Sequence, residues 1–204
     1  MVKKNPAAVA GSGRQAAKSK ATQDKIINAL IGLIREDGYA AASSTAIAQR
    51  AGVTWGAVQH HFGSKDDILA EVLERSHRKF QQTLGATRFT TGTPSARVAK
   101  YVDVAWEHYR GDEYMATMEI LLASRGVGRA TDEPSIKRSR AEHLALARRI
   151  FHDSSASNQC MQEAIYVVHC MLTGILIETV LEPVGFRARV YTAHLQKIVM
   201  QLLY

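Results

Sequence analysis

Proline is nearly absent from this chain. Four occur in 204 residues, and none lies between Pro6 and Pro94. Proline removes a backbone donor and clashes with the preceding helical turn, so its scarcity leaves long helices uninterrupted. Strand-like alternation is scarce too. Cysteine is limited to Cys160 and Cys170. On one helix they would stand ~15 Å apart along the axis, and a disulfide needs Cα atoms within ~7 Å. Two free thiols suit a reducing cytoplasm, which is the expected location; a redox sensor is the other reading. The N-terminus has no apolar leader segment. The most apolar run, Ala164 to Leu181, is interrupted by His169, Thr173 and Glu178. It falls short of the ~20 clean residues of a membrane span, so no membrane partner is expected.

Catalytic signatures are missing as well. There is no GxSxG, HExxH, P-loop or CxxC pair. Glu142-His143 lacks the second histidine that a zinc helix requires. Asp66-Asp67 and Asp132-Glu133 read as helix N-terminal charges rather than a metal cluster. No metal, no cofactor and no catalytic residue are expected. A DNA-processing enzyme is the alternative from another class.

What is present points to an all-α protein. Hydrophobic residues make up 46%, enough for a small head and a larger body. The net charge of +7 is unevenly placed. Residues 1–65 hold nine Lys or Arg against three acids, whereas the rest holds seventeen against sixteen. A phosphate-facing surface predicts that asymmetry. A basic tail without a target would produce part of it.

Residues 43–65, SSTAIAQRAGVTWGAVQHHFGSK, organise the chain. Ser43 suits an N-cap. Ile47, Ala48 and Ala51 then form one apolar face. Gly52 suits a helix C-terminus that needs φ > 0, and Thr54 caps a second short helix bearing Val58 and Phe62. Gly63 breaks it, Ser64 caps the next helix, and Lys65 lies in that helix's first turn. Two short helices about a Gly-containing turn make a helix-turn-helix, whose second helix enters the DNA major groove.

These residues also carry a family likeness. Ile47-Ala48, Ala51-Gly52-Val53-Thr54, Gly56, His61-Phe62 and Ser64-Lys65, preceded by Glu36-Asp37-Gly38-Tyr39, resemble the N-terminal domain of the TetR family of bacterial transcriptional regulators. The likeness spans roughly residues 22 to 80 and is ungapped. It implies a three-helix DNA-binding head and a larger helical body, about nine helices in all, that binds a ligand and dimerises. It implies a homodimer on a palindromic operator in double-stranded DNA, most often a repressor released by a small-molecule effector. An activator and a ligand-independent regulator are the alternatives of the same fold.

The expected domains are a flexible basic arm at 1–20, the helix-turn-helix domain at 21–64, and the ligand-binding and dimerisation domain at 65–204. The arm holds Lys3, Lys4, Pro6, Gly11 and Gly13 without periodicity. It either reaches phosphates and the minor groove or is a solubilising tail. Further helices are expected from about Ala21, Ser64, Ser95, Glu113, Pro134, Asn158 and Phe186, with a break at Gly126–Gly128.

Candidate DNA-binding residues are Ser43, Ser44, Thr45, Thr54, Trp55, Gly56, Ala57, Gln59, His60, His61 and Lys65. Hydroxyls and Lys65 suit phosphate oxygens. Gln can pair with adenine, and the Ala or Thr methyl can touch the methyl of thymine. TetR-like proteins usually carry Tyr where Gln59 stands, so Gln59 either takes a phosphate or reads a base. Trp55 either touches DNA or packs across the turn. Candidate pocket residues are Trp106, Tyr109, Met115, Met118, Phe151, Tyr166 and His169; ordinary core packing is the alternative for each. As a set they fit a mainly apolar ligand. The apolar helix from Asn158 needs cover on every side, and a second subunit would supply it. Candidate interface residues there and on the last helix are Ile175, Thr179, Tyr191, Leu195, Ile198 and Leu202.

Overall fold

The computed structural model describes residues 6–89, 92–124 and 133–204. The break expected at Gly126–Gly128 lies outside them, as do Lys3, Lys4 and Asp132. Among the described residues there are nine α-helices and no strand. They are α1 (Pro6–Asp37), α2 (Ser44–Ala51), α3 (Trp55–Phe62), α4 (Lys65–Ala86), α5 (Pro94–Tyr109), α6 (Asp112–Ser124), α7 (Glu133–Ile150), α8 (Asn158–Leu181) and α9 (Ala188–Leu203).

α1 corrects the reading of residues 1–20 as a flexible arm. The helix starts at Pro6, not near Ala21, and runs for 32 residues. Pro6 sits in the first turn, where its missing N–H costs nothing. Ala7, Ala8, Ala10, Ala16 and Ala17 favour helix by propensity alone. Apolar periodicity, the signal used to place helices, is blind to an Ala-rich segment with nothing to bury. Gly38 (φ 79°) then ends α1, and a 3-10 turn at Tyr39–Ala41 leads into α2.

The chain divides into two compact units. One comprises residues up to Glu74 together with Ala116–Ala123; the other comprises Arg75–Met115 and Ser124–Tyr204. The first boundary therefore falls inside α4, ten residues beyond the end expected for the head. The core of the first unit joins Ile26, Leu30 and Ile34 of α1, Ile47 of α2, Val58 of α3, Ile68 and Val72 of α4, and Ala116 and Ile120 of α6. Fully burying a side chain of this size contributes about 1.5–3 kcal/mol. α6 thus supplies one wall of the head, which no local pattern around residues 43–65 could announce.

In the second unit α8 packs on α5, α7 and α9. Its inward face carries Met161, Ala164, Val168, Leu172, Ile175 and Leu176. Thr192, Leu195, Val199 and Leu203 face inward from α9. Ile175 (5% exposed) and Leu195 (0%) are therefore core residues of a single chain. That corrects their place among the interface candidates: their side chains are already covered. By length and composition α8 is long and apolar enough to cross a membrane, contrary to the reading above. The interrupting His169, Thr173 and Glu178 are too few to lower its apolar character. A core helix of a soluble protein passes the same test. Only 28% of its most apolar window is buried within the chain. Tyr166, Ile177, Val180 and Leu181 lie on its exposed side, and Val190 and Tyr191 are exposed on α9.

Candidate functional site

The helix-turn-helix is built by its caps. Ser43 Oγ accepts from the Ala46 N–H at 3.2 Å, and Thr54 Oγ1 accepts from the Ala57 N–H at 3.2 Å. Gly52 takes the left-handed conformation (φ 67°) and donates back to the carbonyls of Ala48 and Gln49. Ser64 and Asp67 form a reciprocal box at the start of α4: the Ser64 N–H donates to Asp67 Oδ2 at 2.9 Å, and the Asp67 N–H donates to Ser64 Oγ at 3.2 Å. A capping hydroxyl uses only an oxygen lone pair, so the O–H of Ser43 and of Thr54 is still free to donate to a phosphate oxygen.

The outer surface of this unit exposes Ser43, Thr45, Thr54, Gly56, Gln59 and His60, with Ser44 and Ala57 half-buried. Three other candidates are engaged. Trp55 is half-buried and packs against the head core. His61 Nδ1 lies 3.5 Å from Ser19 Oγ on α1. The Lys65 ammonium stands 4.9 Å from the centre of the Tyr39 ring, a cation–π contact. The backbone N–H of Tyr39 in turn donates to Glu119 Oε2 on α6 at 2.9 Å. Arg50 is exposed on α2 but donates to Glu36 on α1 from both terminal guanidinium nitrogens, at 2.8 and 2.6 Å. The guanidinium groups of Arg50 and Arg35 hold the Glu36 carboxyl down at about 2.

These helices are those of known DNA-binding heads. Residues 26–72 match the model described as "Bacterial regulatory proteins, tetR family". Residues 26–72 are thus a DNA-binding head of the TetR kind. A curated relative, the HTH-type transcriptional regulator CymR of Pseudomonas putida, is 27% identical over 110 residues, covering 54% of either chain. The match thus spans about half the length of that relative. Among solved structures, SmeT, the repressor of the Stenotrophomonas maltophilia multidrug efflux pump SmeDEF, superposes with a TM-score of 0.62 at 23% identity, covering 91% of each chain. The multidrug binding protein EbrR complexed with ethidium superposes at 0.61 and 18% identity, covering 90% of this chain and 99% of that one. These likenesses show that the TetR fold extends through the body. The proteins it resembles are transcriptional regulators.

The second unit sorts most of the pocket candidates. Tyr109 and His169 are brought together, phenol oxygen to Nδ1 at 2.8 Å. Phe151 is 2% exposed, edge-on to Tyr101, and reads as core. Tyr166 is exposed with the Arg140 guanidinium over its ring, so it lies on the surface. Trp106 and Met115 are half-buried, and Met118 falls with the head unit.

The sequence reading missed a cluster around Phe80. His108 stacks on Phe80 at 4.7 Å, and His143 meets it edge-on at 5.7 Å. Tyr114 lies 4.2 Å from Tyr109, ring to ring, and its hydroxyl is 3.1 Å from Thr173 Oγ1. Burial pushes both His108 and His143 down to about 4, with His77 adding to the effect at each. They are therefore neutral at pH 7. His143 Nε2 is buried without a hydrogen-bond partner. The available signal was that His108, Tyr109 and His143 lie on helix faces otherwise inward by periodicity. Among the described residues no group of three His, Cys, Asp or Glu side chains is placed to hold a metal.

Proposed function

We propose that the protein is a homodimeric repressor that leaves a palindromic operator when a small, mainly apolar ligand enters its body. The observation that carries the DNA half is the exposed row Thr45, Thr54, Gln59 and His60, with capping hydroxyls free to donate. Ser43, Thr45 and Thr54 position the backbone, and Gln59 reads a base. Trp55 and His61 hold the recognition helix in place rather than touching bases. SmeT, a protein of the same fold, is a repressor, which favours that sign of regulation.

The ligand half rests on the Phe80, His108, Tyr109, Tyr114 and His143 cluster. Neutral imidazoles and phenols among aromatic rings suit a planar, mainly apolar molecule with one or two hydrogen-bonding groups. EbrR, of the same fold, holds ethidium. Driving a two-state switch from 99:1 to 1:99 takes ~5.5 kcal/mol of differential affinity, which two ligands per dimer share. The dimer would form through the exposed apolar side of α8, with Thr179, Tyr191, Ile198 and Leu202 at or near it. Such a regulator acts in the cytoplasm.

Selection of genomic fragments by the purified protein tests the reading. A recovered inverted repeat whose binding is lost with a ligand of this class supports it. Recovery of sequence-independent, salt-sensitive binding alone would overturn it.

A further inference from the structure

The first third of α1 is unaccounted for by the helix-turn-helix. It is helical from Pro6, ahead of the core position Ile26. Of its residues described in full, Gln15, Ala16, Ala17, Lys18, Lys20, Ala21 and Lys25 are exposed. A segment with so little to bury gains little from packing, yet one contact fixes it. Ser19 Oγ reaches His61 Nδ1, at the C-terminal end of the recognition helix α3. Lys18 and Lys25 are seven residues apart, 20° short of two full turns. They share a stripe roughly a quarter-turn round the helix from Ser19 and Ile26, the side turned to the head. Neither makes an ion pair among the described residues, and Asp24 is the sole acid from Pro6 to Lys25.

We propose that this stretch of α1 is a second DNA-contacting element, a rigid basic helix whose lysines lie along the phosphate backbone beside the major groove that α3 occupies. The inference rests on the DNA-binding reading of α2 and α3. Its occupant is fixed by charge and by continuity: an unpaired cationic stripe joins, through Ser19 and His61, an element that itself meets DNA. Phosphate contacts of this kind position a protein and add affinity without reading sequence. A helix carries them at lower entropic cost than a loose tail, because the lysine backbones are already ordered.

The test is the salt dependence of binding to a labelled mixed-sequence duplex. Each phosphate contact contributes about 0.9 to the slope of log affinity against log salt. Lys18→Ala combined with Lys25→Ala should lower the slope by about two units, a roughly tenfold change between 50 and 200 mM salt. Lys18→Arg with Lys25→Arg should restore it. Ala21→Pro, which interrupts the helix between Lys18 and Lys25 at an exposed position and leaves the head core untouched, should weaken binding as well. A double alanine variant with the wild-type slope overturns the proposal while leaving the helix-turn-helix reading intact. So does a slope that falls for the lysines but not for Ala21→Pro, since the charges would then act without the helix. If the wild-type chain itself binds no duplex, the underlying DNA reading fails instead.

Discussion

Arg50 lies across Gly32 to reach Glu36. A Cβ built on Gly32 would stand 2.9 Å from the Arg50 guanidinium, so the flexible tip of Arg50 would have to shift. The absence of a side chain at position 32 leaves room for the two-bonded pair that ties α2 to α1 in this geometry. Gly32→Ala should therefore displace Arg50 and loosen α2, even though alanine is the better helix former. The expected outcome is weaker operator binding with near-normal helix content, read by anisotropy and circular dichroism together. Arg50→Ala should reproduce it, and Gly32→Ala in that background should add nothing further.

The same pair sets a pH dependence. The Glu36 carboxyl is held at about 2, below its ordinary 4.5. Its contribution is complete above pH 4.5 and is lost as pH falls toward 2. Glu36→Gln should flatten that part of the stability curve, measured as urea midpoint against pH.

The body has its own acid limb. His108 and His143 are pushed down to about 4 from 6.5. Between those values the unfolded chain binds protons that the folded one does not, so stability falls as pH drops from 6.5 toward 4. His143→Phe should reduce this dependence. A curve unchanged by His143→Phe would show that the imidazole is already charged in the folded chain.

At the DNA, Lys65→Ala should lower the salt slope by about one unit and weaken all sequences alike. Gln59→Ala should cost ~1–3 kcal/mol at one base step. A uniform loss over operator variants would make Gln59 a backbone contact.

The proposed dimer is tested by contrast on α8. Leu181→Glu, at a site 69% exposed in the single chain, should yield a folded monomer in sedimentation analysis. Ile175→Ala, at a site 5% exposed, should cost about 2–5 kcal/mol of fold stability instead. An unaltered dimer in Leu181→Glu would move the interface elsewhere.

Local patterns exposed much of this in advance. Ser43, Gly52, Thr54 and Gly63 punctuate the sequence where caps and breaks stand in the structure, because capping chemistry is specific to residue type. Ile26, Leu30 and Ile34 announced the brace helix by spacing. What stayed hidden was long-range or silent. Ile120 joins the head core from a distant helix, and no window around residue 50 contains it. The choice between inward and outward on α8 failed at Ile175 because a helix apolar on all sides has no phase to read. The Ala-rich start of α1 carried propensity without periodicity. Gln59 was visible as a departure, but its task depends on a base pair that is not part of the chain.

Ile120 and Ala116 also bear on how such regulators are recombined. The head core reaches outside residues up to Glu74 for part of its packing. A chimera that joins this head at Glu74 to a foreign body would discard Ile120 and expose Ile34 or its neighbours to water, unless the recipient offers an apolar side chain at the matching turn of its own α6. Operator preference is thus not a cassette in this chain. Swapping it means carrying two segments of sequence, far apart in the gene, as one unit.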